Sequence, residues 1–202
     1  MGSMADMQAQ PSWALIAAMW AAMMVAMMLP SASPTILLYA HVHRHSNGYG
    51  SAPPTAAFLG GYIACWLGFA LIAATLQVAL GGMELANRNV AAALLIATGL
   101  YQLSPLKDAC LNRCRSPAQF LSRHYAPGAK GAARLGLLHG AYCVGCCWLL
   151  MALLFVGGVM NLAWVAALAL LVAAEKLLPG GRWIARIAGV ALIGWGAILL
   201  AT

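Results

Sequence analysis

The stretch that decides the fold is Leu135-Gly136-Leu137-Leu138-His139-Gly140-Ala141-Tyr142-Cys143-Val144-Gly145-Cys146-Cys147-Trp148-Leu149-Leu150-Met151. It contains no Asp, Glu, Lys or Arg, and it lies in an apolar run, about 132–156, of the ~20 residues a helix needs to cross a bilayer core. A soft-ligand cluster at that depth is unusual. At ~100° per residue, with His139 at zero, Cys143 falls near ~+40°, Cys146 near ~−20° and Cys147 near ~+80°, so the four share one helix face. Gly136 and Gly140 form a small-xxx-small pair beside that face and invite close approach by another helix.

The rest of the chain has the same character. Hydrophobic residues make up 63% of its 202 residues and charged residues 7%, against roughly 45–50% and about 25% in ordinary globular domains. The expectation is an all-α, polytopic membrane bundle in one domain spanning 1–202, with Met1-Gly2-Ser3 reading as a cloning remnant. The run from Trp13 to Leu29 is too long for a signal-peptide core and lacks a basic leader, so it reads as a mature span. The net charge of +7 is assigned to loop charges that orient the spans, and nucleic acid is not expected as a partner.

Six spans can be drawn, at about 13–40, 55–80, 90–104, 132–156, 159–177 and 182–201. Pro30 and Pro34 remove two backbone donors from the first, which predicts a kink there. With six spans, Arg44, Lys107, Arg113, Arg115, Arg123, Lys130, Arg134, Lys176, Arg182 and Arg186 fall on one side and Arg88 on the other. This asymmetry predicts both termini outside the cytoplasm of a cell with a multi-pass inner membrane. In the long connection at 105–130, Ser104-Pro105 and Ser116-Pro117 each predict an N-cap with proline at the first helical position. Two short helices follow, near 105–114 and 117–125. The second sets Phe120, Leu121 and Tyr125 against Gln119 and Arg123, as in a helix at the membrane surface.

Four groups of residues are candidates for chemistry. Thiolate and imidazole suit Cu(I), Zn(II) and iron–sulfur centres, which makes His139, Cys143, Cys146 and Cys147 candidate metal ligands; cysteine also buries as a small hydrophobe. The methionine stripe of the first span presents Met19, Met23 and Met27 at i, i+4, i+8, with Met28 beside them. Thioethers are soft donors for Cu(I), though methionine also serves as adaptable packing. Cys110 and Cys114 share a face amid Lys107, Arg113 and Arg115, a setting for reactive or ligating thiols on a reducing side. His41, His43 and His45 alternate, so an extended loop would project them together. Glu175 reads as an interfacial ion pair with adjacent Lys176, or as an oxygen ligand or proton acceptor. No phosphate-binding loop, nucleophile elbow, HExxH or dinucleotide fingerprint is present.

Three stretches carry a family resemblance: Met23-Met24-Val25-Ala26-Met27-Met28-Leu29-Pro30-Ser31-Ala32-Ser33-Pro34, then Tyr101-Gln102-Leu103-Ser104-Pro105-Leu106-Lys107-Asp108-Ala109-Cys110-Leu111-Asn112-Arg113-Cys114-Arg115-Ser116-Pro117, and Gly140-Ala141-Tyr142-Cys143-Val144-Gly145-Cys146-Cys147-Trp148. Together they resemble a bacterial family of uncharacterised integral membrane proteins described as predicted metal-binding. The resemblance runs from the first span to Glu175-Lys176 and implies a bilayer and a metal ion as partners. The residues point first to a protein that binds or conducts a soft transition metal, Cu(I) foremost, with zinc or iron as alternatives. On that reading thioether, thiolate and inner thiol ligands form a ladder across the membrane. A membrane thiol–disulfide or metal-dependent oxidoreductase is the second reading. The third is an accessory subunit, with His139 on haem or with docking faces for a protein partner or a second copy at Ala18, Ala22, Ala26 and Gly189.

Overall fold

Residues Trp13–Asn47 form a single helix, α1, that continues through Pro30 and Pro34. A proline has no N–H to give the carbonyl four residues before it. Here a side chain replaces one of the lost donors: Ser33 Oγ donates to Pro30 O at 2.8 Å, the carbonyl that Pro34 leaves free. Ser31 Oγ and Tyr62 OH both donate to Met28 O, at 2.9 and 3.2 Å. The expected kink therefore does not interrupt the helix. In this computed structural model residues 12–47, 52–80, 87–124 and 126–201 are described, with backbone alone at 44–47 and 52–53.

The remaining helices are α2 (Ala52–Ala79), α3 (Arg88–Gln102), α4 (Pro105–Arg115), α5 (Pro117–His124), α6 (Gly128–Ala152), the single turn α7 (Leu154–Gly157), α8 (Leu162–Leu177) and α9 (Gly181–Ala201). Among the described residues there is no strand. Four segments are long and apolar enough to cross a membrane: Trp13–His43, Pro54–Ala79, Gly128–Gly157 and Gly181–Ala201.

The other two expected spans fall below that length as single helices. The one at 90–104 is the 15-residue α3, because Ser104 caps a new helix by accepting from Lys107 N at 3.2 Å, with Pro105 at its first position. The chain bends 63° between α3 and α4. The one at 159–177 is the 16-residue α8, capped by Asn161 accepting from Trp164 N, after Gly158 (φ 82°) ends α7. The expected pair of short helices near 105–114 and 117–125 is present as α4 and α5. Phe120 and Leu121 of α5 do not lie on the outer surface, however. They pack inside, against Tyr39, Phe58, Ala132 and Leu135. Tyr125 lies outside the described residues.

α2 and α6 pack through glycine. A Cβ added at Gly136 would overlap the Phe58 carbonyl, one at Gly61 the Ala133 carbonyl, and one at Gly140 would sit 2.8 Å from Cys65 Cβ. The small-xxx-small pair is thus the seat of α2. α3 and α9 run antiparallel and meet the same way, since a Cβ added at Gly99 would sit 2.6 Å from Gly189 O. Gly189 is therefore internal and not an outward docking face, whereas Ala18, Ala22 and Ala26 are exposed along α1. Gly136→Ala is expected to destabilise the protein by about 1–3 kcal/mol, the usual cost of overpacking, read as a lower thermal midpoint in detergent. Gly60→Ala, which meets nothing within 4 Å, is the control, and equal midpoints for both variants would contradict this packing.

Candidate metal centre

α6 carries the centre. His139, Cys143, Cys146 and Cys147 are all at most 2% exposed, as their shared face predicts. They do not form one undivided group. His139 is wrapped in aromatic rings, with centroids 5.2 Å from Phe120, 5.9 Å from Tyr62 and 6.2 Å from Phe58, and its Nδ1 has no hydrogen-bond partner. One turn further on, Cys143 begins a separate cluster of sulfurs. Tyr62 joins the two, its ring beside His139 and its OH 3.2 Å from Cys143 Sγ.

The sulfur cluster draws on two helices. Cys114 of α4 lies within side-chain hydrogen-bond reach of both Cys143 and Cys146, and Cys147 within reach of the same two. Cys146 and Cys147 thiols both donate to Cys143 O, at 3.1 and 2.9 Å. Cys110 stands at the margin, its Sγ 3.1 Å from where a Cβ on Gly145 would be. All six cysteines are free. Among the described residues, no three His, Cys, Asp or Glu side chains are already disposed to hold a metal ion. The thiols point at a carbonyl and at one another, so ligation requires sulfur rotation about Cα–Cβ.

A charge completes the cluster. Lys176 Nζ, from α8, donates to Cys143 Sγ at 2.9 Å and to Ser31 Oγ at 3.5 Å. Lys176 is 7% exposed, and no carboxylate among the described residues lies within ion-pair distance of it. This corrects the expected pairing of Glu175 with Lys176. Glu175 instead accepts from Lys107 Nζ at 2.7 Å and from Gln102 Nε2 at 2.8 Å, and both Lys107 and Glu175 are 1% exposed. Two cations expected to be loop charges are therefore internal.

The methionine face is rotated from the one expected. Met24 and Met28 are fully enclosed and Met27 is 6% exposed, all in the same buried cluster as Cys143, Cys146 and Cys147, while Met19 and Met23 only pack against its edge. Trp20 sets this orientation: it is fully enclosed and donates through Nε1 to Gln77 Oε1 at 2.6 Å. The face then runs through Met24, Met28, Ser31, Thr35 and Tyr39. The histidine run does not project to one side, because α1 continues through it. His41 is exposed and His43 buried, its ring stacked 6.0 Å from Tyr39, since residues two apart on a helix diverge. The side chain of His45 lies outside the described residues.

The donor set fits a soft ion. Thiolates and thioethers suit Cu(I), whereas Mg(II) or Ca(II) would need oxygen donors, and the one buried carboxylate close by is already engaged by Lys107 and Gln102. The likeness to known proteins agrees. A family described as copper chaperone, PpoB2, matches residues 17–199, which take in every cysteine and the α1 methionines. No curated protein and no solved structure matches the chain.

Proposed function

The chain belongs to the copper chaperone family, and we propose that it carries Cu(I) as cargo between Cys114 of α4 and Cys143, Cys146 and Cys147 of α6. The observation that carries this reading is the Lys176 ammonium against Cys143 Sγ inside a four-thiol cluster. Thiols lose their protons when they ligate a metal. One monovalent ion held by two thiolates leaves a single net negative charge, and Lys176 neutralises it in a site that excludes water. A divalent ion held by two thiolates is already neutral and would leave Lys176 an uncompensated buried cation, which is costly. The charge of the pocket thus favours Cu(I) over Zn(II). Met24, Met27 and Met28 line the same core and supply soft, polarisable surroundings.

The reading extends to a bilayer setting in a bacterial inner membrane, supported by the four long apolar helices and the placement of charge. Arg115, Arg182 and Arg186 gather where α4 meets α8 and α9: Arg115 donates to Glu175 O and Pro179 O, Arg182 to Asn112 Oδ1, and Arg186 approaches Asp108. Arg88 donates to Leu199 O at the far end of α9. The arginine-rich end is assigned to the cytoplasm.

Metal content after purification in detergent, with competition against a Cu(I) chelator, tests the proposal. Wild-type protein is expected to retain copper and to show free thiols by mass spectrometry when the copper is removed. Cys143→Ser with Cys146→Ser is expected to lose more than the ~10–100-fold that removing an outer partner of a metal site costs. A protein that takes up no Cu(I), or whose affinity is unchanged in the double variant, would sink the proposal. A disulfide between α4 and α6 in freshly isolated protein would favour the oxidoreductase reading.

A further inference from the structure

Beyond the thiol cluster, one region of strong charge is left without an internal partner. Two clefts, of about 250 and 200 Å³, flank the C-terminal turn of α5. Arg123 and His124 line both. Arg134 of α6 completes the first and Arg113 of α4 the second. No carboxylate lines either cleft. Among the described residues the two carboxylates are Asp108 and Glu175, and these lie against Arg186 and Lys107. Nothing within the described fold therefore neutralises Arg123 and Arg134, whose side chains are exposed.

The surroundings are built and not merely charged. Phe120 closes the second cleft from beneath with a ring 5.2 Å from that of His124. Arg113 is held over the Tyr142 ring, 4.6 Å from its centroid, and donates to the Tyr142 hydroxyl. Leu135 and Leu138 form an apolar wall on the Arg134 side. An arginine-lined recess with one apolar wall suits a phosphoryl group attached to an apolar body, because guanidinium matches phosphate oxygens in bidentate fashion.

We propose that Arg123, His124 and Arg134 form a binding site for the phosphoryl group of an anionic ligand. Two sources share this chemistry, the headgroup of an acidic phospholipid and a soluble phosphoester. Arg134 lies six residues into α6, ~9 Å along its axis, at the start of a helix long and apolar enough to span a bilayer. That position matches the depth of lipid headgroups.

Native mass spectrometry of the full-length protein in detergent, with phosphatidylglycerol or phosphatidylcholine added, reads the first source. Thermal shift with glycerol phosphate reads the second. Wild type is expected to retain phosphatidylglycerol in preference to phosphatidylcholine, and each lost arginine to weaken that retention about tenfold. Arg123→Gln with Arg134→Gln should therefore abolish the preference, while Arg182→Gln with Arg186→Gln should keep it. Copper content of the Arg123/Arg134 variant, measured in the same samples, should not change, which shows that this variant is folded. Stabilisation by glycerol phosphate without lipid preference would retain the phosphoryl site and assign it to a soluble ligand. No preference and no stabilisation, or equal loss in the Arg182/Arg186 variant, would overturn the proposal.

Discussion

Replacing Lys176 by methionine is expected to weaken Cu(I) binding by about 10²-fold or more while leaving the metal-free protein no less stable. Methionine is close to lysine in length and keeps the contact surface, but it removes the ammonium that lies 2.9 Å from Cys143 Sγ. In the metal-free protein the thiols are satisfied by Cys143 O and by each other, and a buried cation without a carboxylate is itself a cost. Its removal is therefore neutral or favourable for folding. In the loaded protein the two-thiolate complex is anionic, and stripping one partner from a buried charge pair typically costs about 3–5 kcal/mol, on the order of 10²–10⁴-fold in affinity. Competition with a Cu(I) chelator measures the loss, and the thermal midpoint of the metal-free protein measures the stability. Lys176→Arg should recover part of the affinity because the charge is kept. If Lys176→Met binds Cu(I) as tightly as wild type, the ammonium has no part in holding the ion. The same variant should shift the Zn(II)-to-Cu(I) preference toward zinc.

The second large effect concerns the other buried charges. Glu175→Met leaves the Lys107 ammonium, 1% exposed, with no carboxylate, and is expected to destabilise the protein by about 3–5 kcal/mol. Lys107→Met should cost a similar amount by stranding Glu175, although Gln102 Nε2 and its 2.8 Å hydrogen bond soften that loss. The double variant Lys107→Met/Glu175→Met should recover most of the stability, since replacing a buried ion pair by apolar side chains of similar volume is often neutral. Thermal unfolding of the four proteins in detergent forms a double-mutant cycle, with the coupling between the sites as its readout. Additive losses would mean that the 2.7 Å ion pair is not a unit.

What could be read beforehand, and what could not, follows from which forces act locally. The α6 face was legible because His139, Cys143, Cys146 and Cys147 lie at helical spacing in a run without charge, so periodicity and composition agree. The caps at Ser104 and Asn161 act within one turn; the first was readable from Ser-Pro, and the second shortens α8 below the length drawn from hydropathy alone. Lys176 was not legible. Adjacent to Glu175, it invites pairing along the chain, yet neighbouring residues on a helix point ~100° apart. That divergence sends Glu175 to α4 and Lys176 to α6. The methionine face was misplaced for a related reason. Five methionines in ten residues spread thioethers over about half the circumference of α1, and the choice falls to Trp20, Ser31 and Tyr39, whose partners Gln77, Lys176 and Phe58 are visible only in three dimensions.

The clamps on α4 bear on how the centre accepts an ion. Lys107 ties this helix to α8, Arg115 fastens it to the carbonyls of Glu175 and Pro179, and Asn112 receives Arg182 of α9. Cys114 and Lys176 therefore belong to one rigid wall, fixed when the chain folds. The thiols of Cys146 and Cys147 donate to a carbonyl of their own helix and lie against neighbouring sulfurs. The entropy lost on capturing a metal is confined to a few χ1 angles of α6, and this preorganisation leaves more of the ligation energy to appear as affinity.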